Sequence, residues 1–201
     1  MKPRVKIFVA IPSSGILEAQ CVESWFRVAT RCGRWAELEV RFLSGYSCEQ
    51  ARNEAVRQFL QTDARFLWFV DSDIILPEDA LELLLSAQAD IISGIYFRKE
   101  ASADPTAEVC HLEEEKTIFY QRSEIPDGPF RIAGCGAGCL MIRREVIEKC
   151  YQSIADGRLF VYSFEPLISE DLWFCNLVTS LGYQIWAHGA LRLGHLGRAI
   201  H

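Results

Sequence analysis

The sequence predicts a single α/β domain in which a mostly parallel central sheet is flanked by helices and joined by a small antiparallel element. Three observations carry that expectation. The 201 residues, half of them apolar, suffice for one sizeable core without a second domain. Stretches of strand character alternate with stretches of helical spacing through the first half, the order produced by parallel strands joined by right-handed crossovers. The run Phe66-Leu67-Trp68-Phe69-Val70 is apolar at every position instead of alternating, so it reads as an interior strand covered on both faces.

Each element has its own signal. Lys6 to Ile11 forms a first strand, and Pro12-Ser13-Ser14-Gly15 turns the chain after it. Ile16 to Arg31 has helical spacing, with Leu17, Cys21, Trp25 and Val28 on one stripe and Gly33 as its stop. Glu39 to Leu43 is a second strand. Ser47 is placed to cap the helix Cys48 to Leu60, with Gln50 completing a capping box. After the interior strand, Pro77-Glu78-Asp79 opens a helix over Ala80 to Ala87, and Asp90 to Tyr96 supplies a further strand.

The second half is less regular. Arg98 to Pro129 is polar and broken by prolines, which predicts a loop with a short hairpin around Thr117 to Gln121. Its acid run Glu113-Glu114-Glu115 reads as a solvated turn. Gly134 to Gly138 leads into a strand, Cys139 to Ile142, followed by a helix from about Arg144. Ser169 caps a helix from Glu170 to about Ser180 that Gly182 stops, and Gln184 to Ala187 is a late strand. No internal repeat and no Gly/Ser-rich linker divides the chain.

Composition narrows the function. A net charge of −6 argues against a nucleic-acid partner, whose phosphates demand a basic surface. Val5 to Ile11 is too short for a signal segment, and no apolar run approaches membrane-spanning length, so a soluble cytoplasmic protein without a transmembrane segment is expected. The eight cysteines include no C-x-x-C pair and several sit in apolar patterns, which suits reduced, buried thiols. Cys110-His111 can be drawn together with Cys135 and Cys139 as a zinc site, but the spacing matches no standard zinc module.

The chemistry concentrates where the interior strand ends, at Asp71-Ser72-Asp73. Open α/β sheets place ligands at that edge. Carboxylates this close repel unless a cation sits with them, and hard oxygen ligands suit Mg²⁺ or Mn²⁺ carrying a diphosphate. The plain alternative is a polar strand end forming an Asx-turn before Pro77. Pro12, Ser13 and Ser14 sit at the matching end of the first strand, suited to a base and ribose. Arg52 and Asn53 lie in the first turns of a helix starting at the same edge, where Arg52 is placed either to approach a diphosphate or to hold Asp71 in a salt bridge. Glu170 and Asp171 begin a helix, a position that stabilises carboxylates for structural reasons as well. Gly136 and Gly138 admit a close ligand, or simply a tight turn, and Trp173 suits either a stacked sugar or the core.

The ordered set Ile11-Pro12-Ser13, Ala51-Arg52-Asn53, Asp71-Ser72-Asp73, Gly134 to Gly138, Glu170-Asp171 and Gly194-His195-Leu196-Gly197 resembles the GT-A-fold glycosyltransferases, particularly those similar to family 2, from Ile7 to Gly197. The resemblance implies a Rossmann-like GT-A domain with a nucleotide-binding half over about 1–97 and an acceptor and catalytic half over about 98–201. It implies a divalent ion, Mn²⁺ favoured over Mg²⁺ for a mixed oxygen and imidazole shell, approached by Asp71, Asp73 and His195. His188 and His201 are the rival histidines.

By the same resemblance a nucleoside-diphosphate sugar, UDP-sugar favoured, lies along Pro12, Ser13, Ser14, Arg52, Asn53, Asp71, Ser72, Gly136 and Gly138. Asp171 is then the base of an inverting transfer to a carbohydrate or other hydroxyl acceptor, with Glu170 positioning that acceptor. Since little follows Gly197, either the acceptor site is open or the chain is one unit of a larger polypeptide or complex, and Arg98 to Pro105 is a lid candidate. Two other functions fit the same sheet. A nucleotidyltransferase calls for a basic glycine-rich loop after the first strand, and Pro12-Ser13-Ser14-Gly15 has no Arg or Lys. A non-catalytic nucleotide-sugar-binding module has no need of Asp171.

Overall fold

In a computed structural model describing residues 4–100 and 102–196, the apolar run Phe66–Val70 is buried along its whole length. Phe66, Trp68 and Val70 join one apolar cluster and Leu67 and Phe69 another, because successive side chains of a strand point to opposite faces. Both faces of the sheet are therefore covered by helices.

The first half supplies β1 (Val5–Ser13), α1 (Ala19–Cys32), β2 (Ala36–Ser44), α2 (Cys48–Phe59), β3 (Phe66–Val70), β4 (Ile74–Ile75), α3 (Ala80–Ser86) and β5 (Ile91–Ile95). The second supplies β6 (Thr106–Glu113), β7 (Lys116–Gln121), β8 (Pro129–Ile132), β9 (Gly134–Cys135), β10 (Cys139–Arg143) and α4 (Arg144–Ser153). It closes with β11 (Ser163–Phe164), β12 (Leu167–Ile168), α5 (Glu170–Ser180), β13 (Ile185–Arg192) and β14 (Gly194–His195).

The central sheet has seven strands in the order β2-β1-β3-β10-β5-β13-β8. β1 is parallel to β2 and β3, and β13 is parallel to β5. β10 runs antiparallel to both β3 and β5, and β8 antiparallel to β13, so the sheet is mostly parallel with two reversed strands. The reversal of β10 is not visible in its own residues. It arises because the chain reaches β10 from the carboxyl edge of β3, which sets Cys139 opposite Val70.

α1 and α3 cover one face through Val28, Cys32, Ala80, Leu81 and Leu84. α2, α4 and α5 cover the other, with Phe59, Val146, Ile147 and Phe174 among the buried side chains. The Ser47–Gln50 capping box forms as expected, Gln50 N donating to Ser47 Oγ at 3.3 Å and Ser47 N to Gln50 Oε1 at 3.1 Å. α1 differs from expectation. It starts at Ala19, Leu17 is exposed, and the buried stripe is Cys21, Ser24, Val28 and Cys32. Ser24 is tolerated there because its hydroxyl donates to Cys21 O at 2.7 Å and accepts from Leu76 N at 3.0 Å.

The predicted hairpin is longer than its signal. β6 and β7 pair antiparallel and, with β9, make a three-stranded sheet. Glu114 and Glu115 form the two-residue turn with positive φ values of 47° and 66°.

Candidate functional site

The site residues gather where β3 ends. Asp71 N donates to Gly138 O at 2.9 Å, tying the strand end to the approach of β10, and Ile74 N donates to Asp71 O at 3.1 Å, closing a turn through Ser72 and Asp73. β14 then pairs with β4, setting His195 opposite Ile74, and Leu196 N donates to Asp73 O at 2.9 Å. A two-residue bridge late in the chain thus brings His195 beside Asp73. Gly197 and His201 lie outside the described residues.

Arg52 is the hub. Only 2% exposed, its guanidinium meets both oxygens of Asp71 at 3.3 and 3.4 Å and donates to Ala137 O at 3.3 Å. Its Nε lies 3.0 Å from Asp171 Oδ1 and 3.5 Å from Glu170 Oε1. The Nε–Oδ1 contact lacks hydrogen-bond alignment, so both atoms are buried with charge compensation alone. Arg52 is therefore the salt-bridge partner of Asp71, sealed beneath the site. Ser169 Oγ caps α5 by accepting from Leu172 N at 3.4 Å, which fixes the turn carrying Glu170 and Asp171.

Burial pushes the Asp171 carboxyl up, Arg52 opposes, and the nearby charges of Glu170 and Asp71 raise it further, to about 7. Asp73 lies at the other extreme. Burial works to raise it, but bonds from His195 and Lys99 outweigh that and hold it down at about 2. Two carboxyls in one site thus have opposite protonation behaviour, the pattern that separates a proton acceptor from a permanent anion.

Lys99 Nζ lies 2.6 Å from Asp73 Oδ2, and His195 Nε2 lies 3.6 Å from the same oxygen. His195 Nδ1 is 2.7 Å from Phe97 O, so that nitrogen carries the proton and Nε2 is turned toward Asp73. With Nδ1 committed to Phe97 O, loss of the Nε2 proton leaves Nε2 as the nitrogen that can meet a cation in place of that proton. Asp73 and His195 fit a hard divalent cation on that count. Both oxygens of Asp71 meet Arg52, and the described residues contain no cluster of three His, Cys, Asp or Glu donors.

Other expected residues have different settings. Asn53 is fully engaged: Oδ1 accepts from Leu159 N and Phe160 N at 2.9 and 3.1 Å, and Nδ2 donates to Glu49 O and Phe160 O at 3.0 and 2.7 Å. In this arrangement its side-chain donors and acceptors are all taken by the protein's own backbone. Gly136 and Gly138 are glycines because the Tyr96 ring fills the space a Cβ would take. Tyr96 Oη also accepts from Gly138 N at 3.0 Å. Pro12 and Ser13 end β1 at the expected edge and Ser14 follows in the bend, with Ser13 Oγ accepting from Gly15 N at 3.0 Å.

Trp173 is in neither core cluster. It lines a surface cleft with Ile154, Arg158 and Val161. His188 is buried in β13. All eight cysteines are free, and all but Cys48 are buried. Cys135 and Cys139 fall in clusters on opposite faces of the sheet, which rules out their sharing the zinc site drawn from sequence.

Lys99 and Tyr96 are the residues sequence reasoning missed. Lys99 stands inside the segment expected as a lid, and the cue was a lone cation in a stretch following a strand at the acid edge. Nothing local marked Tyr96.

No protein-family model and no curated protein matches the chain. Solved structures do. The crystal structure of A197 from STIV matches 96% of this chain and 86% of its own, at 22% identity and a TM-score of 0.65. The crystal structure of GalNAc-T7 with UDP, GalNAc and Mn²⁺ matches 99% of this chain at 12% identity and a TM-score of 0.67. The chain spans 45% of that longer protein. At these identities the likeness establishes the fold, which is GT-A.

Proposed function

We propose that this chain is a glycosyltransferase that moves a sugar from a nucleoside-diphosphate sugar, UDP-sugar favoured, to a hydroxyl acceptor with inversion at the anomeric carbon. The observation that carries this reading is the shared Arg52: one buried guanidinium ties Asp71, at the donor edge of the sheet, to Asp171, whose carboxyl sits at about 7. In this reading one buried side chain holds the donor-side and acceptor-side acids together.

In this reading Asp171 accepts the proton of the acceptor hydroxyl as its oxygen bonds to the anomeric carbon and the bond to the diphosphate breaks. Its raised value places it near the pH at which a general base works best. Arg52 keeps the Asp171 carboxylate in place before transfer, and Glu170 orients the incoming hydroxyl. Pro12, Ser13, Ser14 and Ser72 line the edge against which the nucleotide lies. Asp73 and His195 would hold Mn²⁺ or Mg²⁺, which when bound neutralises charge on the departing diphosphate.

The Lys99–Asp73 ion pair supports a second reading, in which the same transfer proceeds without metal and the Lys99 ammonium faces the diphosphate. Release of nucleoside diphosphate from a panel of donors, with Mn²⁺ or with a chelator, separates the two. Turnover abolished by chelator supports the metal reading; turnover that persists and is lost in Lys99→Ala supports the lysine. Pyrophosphate as sole product indicates a nucleotidyltransferase, and binding without turnover indicates a binding module. Asp73→Asn is expected to abolish metal-dependent donor binding, measured by calorimetry.

A further inference from the structure

We propose that the chain forms a twofold dimer by antiparallel pairing of β2 with β2 of a second copy, which joins two sheets into one. β2 is an edge of the central sheet, nine residues long and free of proline. Its inner side is committed to β1: Val5 N donates to Trp35 O at 3.0 Å, and in a parallel ladder alternate residues face the neighbour, so Glu37, Glu39 and Arg41 also turn their backbone groups inward. The N–H and C=O groups of Leu38, Val40 and Phe42 therefore point away from the sheet. Among the described residues, the Val40 carbonyl meets only the Arg41 side chain, whose Nη1 donates to it at 3.3 Å. A row of unpaired backbone groups on a long strand is a template for another strand.

The side chains say which strand. Leu38, Val40 and Phe42 alternate on the α1 face, where Val40 and Phe42 are 40% and 51% exposed and Phe26 of α1 is 68% exposed beside them. They border an apolar cavity of about 240 Å³ between α1 and the sheet. Glu39 and Arg41 occupy the opposite face and pair with each other along the strand at 2.6 Å.

An antiparallel twofold centred on Val40 places Val40 opposite Val40, Leu38 opposite Phe42 and Glu39 opposite Arg41 of the second copy. All outward backbone groups then face their counterparts, the apolar row continues across the seam, and both charge pairs are attractive. Centring on Glu39 or Arg41 instead puts like charges opposite one another, which is destabilising. The strand is self-complementary in one register. The dimer rests on β2 alone and is independent of the reading of the catalytic site.

Sedimentation equilibrium across a dilution series tests it. The wild-type chain is expected at twice its 22.9 kDa mass, dissociating on dilution. Arg41→Glu sets one carboxylate against another on both sides of the axis and is expected to weaken the dimer by about ten-fold or more. The double exchange Glu39→Arg with Arg41→Glu recreates the opposite-charge pairs in reverse and is expected to restore dimerisation. Circular dichroism confirms that each variant is folded. A wild-type chain that stays monomeric at every concentration overturns the proposal, as does a folded Arg41→Glu variant that dimerises like wild type. A folded double variant no better than the single one overturns the register.

Discussion

Arg52, itself buried, is the counter-charge of three carboxylates that are partly exposed, so its removal leaves all three without their cation. Arg52→Met is expected to destabilise the protein by about 3 kcal/mol in urea unfolding, since Asp171 and Glu170 are left mostly buried, and Asp71 partly exposed, without their counter-charge. Adding Asp171→Asn to that variant should recover part of the loss. Asp171 itself links stability and rate in opposite senses. Its folded value of about 7 lies above its ordinary 3.8, so its proton contributes stability that is fully present below the ordinary value and lost as pH rises through about 7. In the proposed mechanism transfer requires the deprotonated form, so the rate is expected to climb through the same window. Asp171→Asn is expected to flatten that fall in stability relative to wild type, followed by thermal melts between pH 4 and 8, and to lower kcat by about 10²–10⁴-fold with donor binding kept. Loss of donor binding in that variant counts against the division of roles between Asp71 and Asp171. The acids were legible because each ends or begins an element; Lys99 and Tyr96 were not, because their partners are distant in sequence and only the closed fold makes them neighbours.

At the scale of elements, a signal was readable when all its parts lay in one segment. Ser47 with Gln50, and the uninterrupted run Phe66–Val70, are such cases and both formed. β4 with β14 and β11 with β12 are bridges of two residues per strand, too short for any periodic pattern, yet the first of these sets His195 against Asp73. The β6–β7 hairpin was expected too short because its signal around Thr117 to Gln121 marked only the second strand, while the acid run was rightly read as a turn. Glu114 and Glu115 are that turn, in a left-handed conformation that side chains with a Cβ adopt at a cost. Glu115→Gly should relieve about 1 kcal/mol and raise Tm by about 2–4 °C in calorimetry, without changing turnover. An unchanged or lower Tm means that contacts of the Glu115 side chain offset the strain.

For the whole molecule, sheet order is what converts scattered residues into a site and leaves an edge uncovered. β3 lies in the interior of the sheet, and the strands on either side of it, β1 and β10, bring Pro12–Ser14 and Gly136–Gly138 to the edge where Asp71 begins. No residue of β10 announces its direction, so this convergence follows from the order of strands and not from any single segment. The same order leaves β2 outermost, with alternate backbone amides facing away from the sheet. Amide hydrogen exchange reads both consequences at once. Amides within β3, paired on each side, should exchange only through global opening. In a monomer the amides of Leu38, Val40 and Phe42 exchange fast, whereas Glu39 and Arg41, turned to β1, are protected. In the twofold dimer all five become slow at high protein concentration, and the first three regain fast exchange on dilution or in Arg41→Glu. Fast exchange at those three positions under every condition would leave β2 as an open edge and remove the assembly built on it.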